Sequence, residues 1–172
     1  MKTFPSRIEP DALRMGPARK RRTPSGRRSL QGKGLDDIDG ASGDGVLMGG
    51  QGIGDYLVGP GDDYVVDTGT DTSHDNFSGD GGYYELIDRA GDAFMADDAG
   101  RDVLRAGHGN DDLVLTHGAD QAWAGPGDDV VQVDVDNEVD RVSCGPGNDT
   151  VQFKRREPAE QYWSCKHFKV FP

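Results

Sequence analysis

The stretch GRDVLRAGHGNDDLVLTHGADQAWAGPGDDVV, residues 100–131, decides the fold. Glycine recurs in it every nine residues, at Gly100, Gly109, Gly118 and Gly127. Four residues past each glycine stands an apolar side chain: Leu104, Leu113, Ala122 and Val131. Two residues before each of those is an aspartate: Asp102, Asp111, Asp120 and Asp129. A fixed short period marks a chain built from stacked similar units, and it outranks any local propensity.

The register runs on in both directions. Backwards it passes Gly91 and Gly82, with Met95 and Leu86, and then Ser73 with Phe77. It opens at Gly34, Gly43, Gly52 and Gly61, followed by Ile38, Leu47, Tyr56 and Val65. Three residues are inserted between Val65 and Phe77 and two between Val131 and Val142, and Val151 closes the series nine residues later. Thirteen units result. Glycine makes up 26 of 172 residues, about twice the usual share of about 7%. A disordered Gly/Asp linker would hold as many glycines without register. The aspartate column is unbroken from Asp102 through Asp111, Asp120, Asp129 and Asp140 to Asp149. Earlier it is mixed, reading Asp36, Gly45, Gly54, Asp63, Asp75, Tyr84 and Ala93. The three residues after each aspartate, such as Val130-Val131-Gln132, suit a short strand whose middle side chain points inward.

Units such as AGHGNDDLV, CGPGNDTVQ and VGPGDDYVV resemble the GGxGxDxUx nonapeptide of the repeats-in-toxin, or hemolysin-type, calcium-binding family. The resemblance covers about residues 32–153 and is most specific from 100 to 151. It implies an all-β fold, a right-handed parallel β-roll (a β-solenoid) of about six and a half turns. Two nonapeptides make one turn, and calcium sits between loops n and n+2. The expected pairs are Asp102 with Asp120, Asp111 with Asp129, Asp120 with Asp140, and Asp129 with Asp149. Loop carbonyls, including those of Gly109, Gly127 and Gly147, complete the oxygen set. In the first block Asp36 faces Gly54 and Asp63 faces Gly45, so each of those sites lacks one carboxylate and is expected to be weak or empty. The chemistry is consistent, because calcium takes six to eight oxygen ligands and the glycines supply the tight loop backbone that brings carbonyls close.

Charge divides the chain. Residues 1–33 carry ten Lys or Arg against two acids, while the remainder is strongly acidic and the whole chain has a net charge of −12. Residues 1–30 read as a basic, disordered leader, 31–153 as the calcium-binding roll, and 154–172 as a C-terminal cap. The leader segment ARKRRTPSGRR lacks aromatics to stack on bases, so nucleic acid is not an expected partner. Its charge is available to neutralise the acidic body when metal is absent. The aromatic segment YWSCKHFKVF, residues 162–171, is expected to cover the end of the roll, as solenoids require.

Cys144 and Cys165 are either two free thiols or a disulfide. In a protein of calcium repeats a disulfide and an oxidising compartment are the expectation. The family resemblance implies a secreted, extracellular protein, although no apolar run of about 7–15 residues that would mark a signal peptide stands in residues 1–28. No stretch reaches the roughly 18 apolar residues of a membrane span. His74, His108, His117 and His167 show no zinc-protease spacing and read as loop residues, and neither a nucleophile elbow nor a phosphate loop is present. Few residues lie outside the repeats and cap, so the chain is not expected to be an enzyme. Two alternatives to a purely calcium-binding module remain. One is a surface or adhesion module whose protein partner the sequence does not identify, and the other is the secretion module of an exported hydrolase.

Overall fold

The computed structural model describes residues 19–22, 28–30, 34–70, 72–155 and 160–171. They form a parallel β-solenoid with no helix among them. One sheet has nine strands, from Arg19–Arg22 and Asp36–Asp39 through Asp112–Leu115, Val130–Val133 and Thr150–Phe153 to His167–Val170. The other has eight, from Arg28–Leu30 and Val46–Met48 through Val103–Arg105, Gln121–Trp123 and Arg141–Ser143 to Gln161–Trp163. The strands of these two sheets alternate along the chain, with Ala99–Gly100 and His117–Gly118 forming a further two-stranded pairing, so each strand pairs with the one two units away: Leu113 lies beside Val131, and Leu104 beside Ala122.

The period of nine explains this. Three or four residues of strand leave five or six for a corner, and two such units bring the chain back onto itself one coil further on. All thirteen apolar positions, Ile38 to Val151, are buried, at most 2% exposed, in one continuous core between the sheets. Within it Tyr56 stacks on Phe77, with ring centroids 4.5 Å apart and planes 7° from parallel. The two insertions are absorbed in corners, because Tyr56 still pairs with Phe77 and Ala122 with Val142.

Glycine is required where successive coils touch. A Cβ on Gly127 would lie 1.6 Å from the carbonyl oxygen of Gly109, and Gly109 itself has φ +149° with the Gly91 carbonyl 1.9 Å from where its Cβ would be. No other residue fits at such a contact.

Both ends differ from the expected division. Arg19–Arg22 and Arg28–Leu30, within the segment read as a leader, are strands that pair with Asp36–Asp39 and Val46–Met48. The sheets therefore begin before residue 31. The register sets a basic strand beside an acidic one, Lys20 against Asp37 and Arg22 against Asp39. The remainder of the leader lies outside the described residues. At the other end residues 160–171 complete the roll as a further coil. Tyr162 lies beside Val142 and Phe168 beside Val151, and the two rings meet edge to face at 5.3 Å. Cys165 in this coil is disulfide-bonded to Cys144, a core residue that is fully buried.

Candidate metal centre

Side chains on a strand alternate between its two faces, so the position two before each inward apolar residue also faces inward. The aspartate column is accordingly buried. Asp63, Asp75, Asp102, Asp111, Asp120, Asp129, Asp140 and Asp149 are each no more than 3% exposed. They stack along the roll in two rows, one at the start of each sheet's strands. The Oδ1 of each aspartate accepts a backbone N–H from the residue one coil earlier in its row. Asp102 N donates to Asp120 at 2.7 Å, Asp111 N to Asp129 at 2.9 Å, Asp120 N to Asp140 at 2.9 Å and Asp129 N to Asp149 at 3.3 Å. These are the four pairs that the resemblance implies, and the structure stacks the two members of each one coil apart.

The second oxygen of each is different. Oδ2 of Asp63, Asp102, Asp111, Asp120, Asp129, Asp140 and Asp149 is buried and meets no donor among the described residues. A buried carboxylate oxygen without a partner is costly and calls for a proton or a cation. Burial accordingly raises these groups: Asp111 and Asp140 to about 8, Asp102 to about 7, and Asp63, Asp120 and Asp129 to about 6. Desolvation is the leading cause in each, and neighbouring carboxylates add to it, as Asp129 does for Asp111 and Glu160 for Asp140.

An outer ladder shows the contrast. Asp92, Asn110, Asp128 and Asn148 are exposed and alternate acid with amide. Each of the last three donates its N–H to the Oδ1 of the one before, at 2.8–2.9 Å. Water reaches that row. It does not reach the inner one.

The remaining expected positions fall as follows. Asp63 faces Gly45, whose N–H it accepts at 2.6 Å, and the strand register sets Asp36 beside Gly54. The carbonyl of Gly109 is directed at Gly127 and that of Gly127 at Gly147. The Gly147 carbonyl accepts a hydrogen bond from the Lys166 ammonium.

Several residues escape the nine-residue reading. Asp67, Asp88 and Asp97 stand two residues after their apolar partners Val65, Leu86 and Met95, and all three are buried. Strand alternation, carried one step past the apolar column, is the signal that would have found them. Carboxylate oxygens of Asp97, Asp102 and Asp120 lie within 4.8 Å of one another, with Asp97 facing the aspartate row across the corner. The Oδ2 of Asp97 also meets no donor among the described residues, and burial, reinforced by Asp120, pushes this group to about 9. Glu160 extends one row past Asp140, accepting its N–H at 3.1 Å. It lies beyond the last regular unit, where spacing gives no guide.

Such a row of carboxylates and backbone carbonyls offers only oxygen donors, the set suited to a hard cation. A scan of protein-family models, a search of curated proteins and a search of solved structures each found no significant match.

Proposed function

We propose that this chain binds calcium between successive coils of the solenoid, and that binding is coupled to folding. The observation that carries the reading is the set of stacked aspartates whose buried Oδ2 atoms have no donor, in pairs one coil apart. Asp97 joins one such pair, its carboxylate lying within 4.8 Å of those of Asp102 and Asp120. Calcium supplies a charge of +2 where the fold has gathered buried carboxylates, and its oxygen preference matches the donors present. Magnesium fits less well, since it retains several waters and such an interior row is dry. The likeness of the units to the repeats-in-toxin nonapeptide points the same way.

Affinities of about 10⁻⁴–10⁻³ M serve extracellular modules, where calcium is abundant. The Cys144–Cys165 disulfide supports an oxidising, extracellular setting. On this reading the chain is a secreted binding module and carries no catalysis of its own. Because the acidic rows repel one another without metal, binding free energy becomes folding free energy.

Far-ultraviolet circular dichroism tests the reading. The chain in chelator is expected to be largely unordered and to gain β signal on addition of millimolar calcium, with magnesium at the same concentration much less effective. Equal β content with and without calcium would sink the coupling.

A further inference from the structure

Between Asp63 and Asp102 one aspartate row is broken by Tyr84 and the other by Ala93, so the inter-coil pairing has little to offer there. Yet the same stretch contains a second buried acidic group. Asp67 and Asp88 follow the paired strands Asp63–Val66 and Tyr84–Ile87 and stack one coil apart, with the Asp67 N–H donating to the Ile87 carbonyl at 2.8 Å. Asp75 opens the facing strand Asn76–Ser78 and meets them across the corner. Carboxylate oxygens of the three lie within 4.8 Å of one another, and the residues are 1–3% exposed.

The corner between Asp67 and Asp75 carries the three-residue insertion between Val65 and Phe77. Glycine keeps the preceding coil open above it. A Cβ on Gly49 would lie 2.4 Å from Asp67 Oδ2 and 1.6 Å from the Tyr56 hydroxyl. The Tyr56 hydroxyl donates to Asp67 Oδ2 at 2.5 Å, and the Gly54 N–H donates to Asp75 Oδ1 at 2.6 Å. The N–H of Gly69 reaches Asp67 Oδ1, and that of Arg89 reaches Asp88 Oδ1 at 2.6 Å. Asp88 Oδ2 is left without a donor among the described residues although the residue is only 3% exposed. The Asp88 oxygen, without a donor among the described residues and beside two further buried carboxylates, is one that a cation can coordinate.

We propose that Asp67, Asp75 and Asp88 form a separate divalent-cation site at the corner that carries the insertion. Two of its three carboxylates come from the position after the strand, where the inter-coil pairs use none. All its donors are oxygen, which selects a hard cation, and the dry surroundings favour calcium over an ion that holds its waters. The site gives the irregular middle of the roll a tie between coils where the aspartate rows cannot supply one.

Equilibrium dialysis of the full, disulfide-bonded chain against radiolabelled calcium counts the ions bound. Asp88→Asn and Asp67→Asn are each expected to bind one calcium fewer than the wild type, with unchanged circular dichroism in saturating calcium. Asp129→Asn should lower the count independently of either. An unchanged count in Asp88→Asn, which would mean a proton satisfies the corner, overturns the proposal. A wild type that binds one ion, lost in Asp88→Asn and kept in Asp129→Asn, would uphold the corner site and refute the inter-coil reading. No binding at all would refute both.

Should the asparagine variants not fold, terbium in place of calcium gives a second measure. Tyr56, bonded to Asp67, is placed to sensitise an ion in the corner. Tyr56→Phe retains the ring against Phe77, and it is expected to reduce the tyrosine-excited emission per bound terbium ion, with occupancy measured separately by dialysis. Undiminished emission would place the ion elsewhere.

Discussion

The ammonium of Lys166 donates a hydrogen bond to the carbonyl oxygen of Gly147. His167 pairs with Thr150, so Lys166 stands one coil beyond Asp149 in the row of Asp111, Asp129 and Asp149. The last coil thus brings its own cation to the place where the next carboxylate would stand. The neighbouring row ends instead on an acid, Glu160 beside Asp140.

Replacing that tethered charge is therefore expected to extend the row. Lys166→Asp should bind one more calcium than the wild type in a calorimetric titration. An unchanged number of sites would show that the row closes at Asp149 for a reason other than charge.

Paired aspartates should matter more than single ones. Asp111→Asn and Asp129→Asn each remove a carboxylate from a pair with an aspartate on the adjoining coil, while Asp63 faces Gly45 and Asp36 stands beside Gly54. A charged contact of about 1.5–3 kcal/mol corresponds to roughly 10- to 100-fold in affinity. That loss is expected for the paired positions, and a much smaller one for Asp63→Asn or Asp36→Asn. Equal losses at all four positions in calorimetry would contradict the pairing.

Acidity should stabilise the metal-free fold. Burial holds Asp97 at about 9, Asp111 and Asp140 at about 8, and Asp102 at about 7, above the usual carboxylate value of 3.8. Between about pH 4 and pH 9 the folded chain then binds more protons than the unfolded one, and stability falls as pH rises. In chelator the residual β signal by circular dichroism is expected to be larger at pH 5 than at pH 8. Calcium competes with those protons, so in saturating calcium the trend should flatten or reverse. A metal-free chain that gains stability from pH 5 to pH 8 would show that these carboxylates are not buried together.

Reduction of the disulfide should loosen one end of the roll. Cys144 and Cys165 are 21 residues apart, and a closed loop of that size is worth roughly 3 kcal/mol in the chain-entropy model. Each coil contacts only its neighbours, so the effect should stay local. Hydrogen exchange in saturating calcium is expected to quicken in Arg141–Ser143 and Thr150–Phe153, while Val103–Arg105 and Asp112–Leu115 remain protected. Uniform acceleration would reveal a single cooperative unit.

The repeat by itself determined that the chain is a stack of similar nine-residue units, and the likeness of those units to the repeats-in-toxin nonapeptide implied the parallel roll. A nine-residue period of glycine and apolar side chains leaves room for one short strand and one corner per unit. Only stacking into two parallel sheets buries Ile38 through Val151 together. The same resemblance implied the pairing of the aspartates from Asp102 to Asp149, because two such units to a turn set residues 18 positions apart, or 20 across an insertion, one coil apart. Tertiary structure alone decided what happens across the corners and at the ends. Asp97 meets Asp102, and Asp67 meets Asp75, because a corner folds the end of one strand against the start of the next. No spacing rule encodes that approach, since the insertion before Phe77 alters the corner without altering the register. The basic strands at Arg19–Arg22 and Arg28–Leu30, and the final coil carrying Glu160 and Lys166, lie outside the period. What places them is the open edge of a sheet, whose backbone N–H and C=O groups take up any chain able to pair with them.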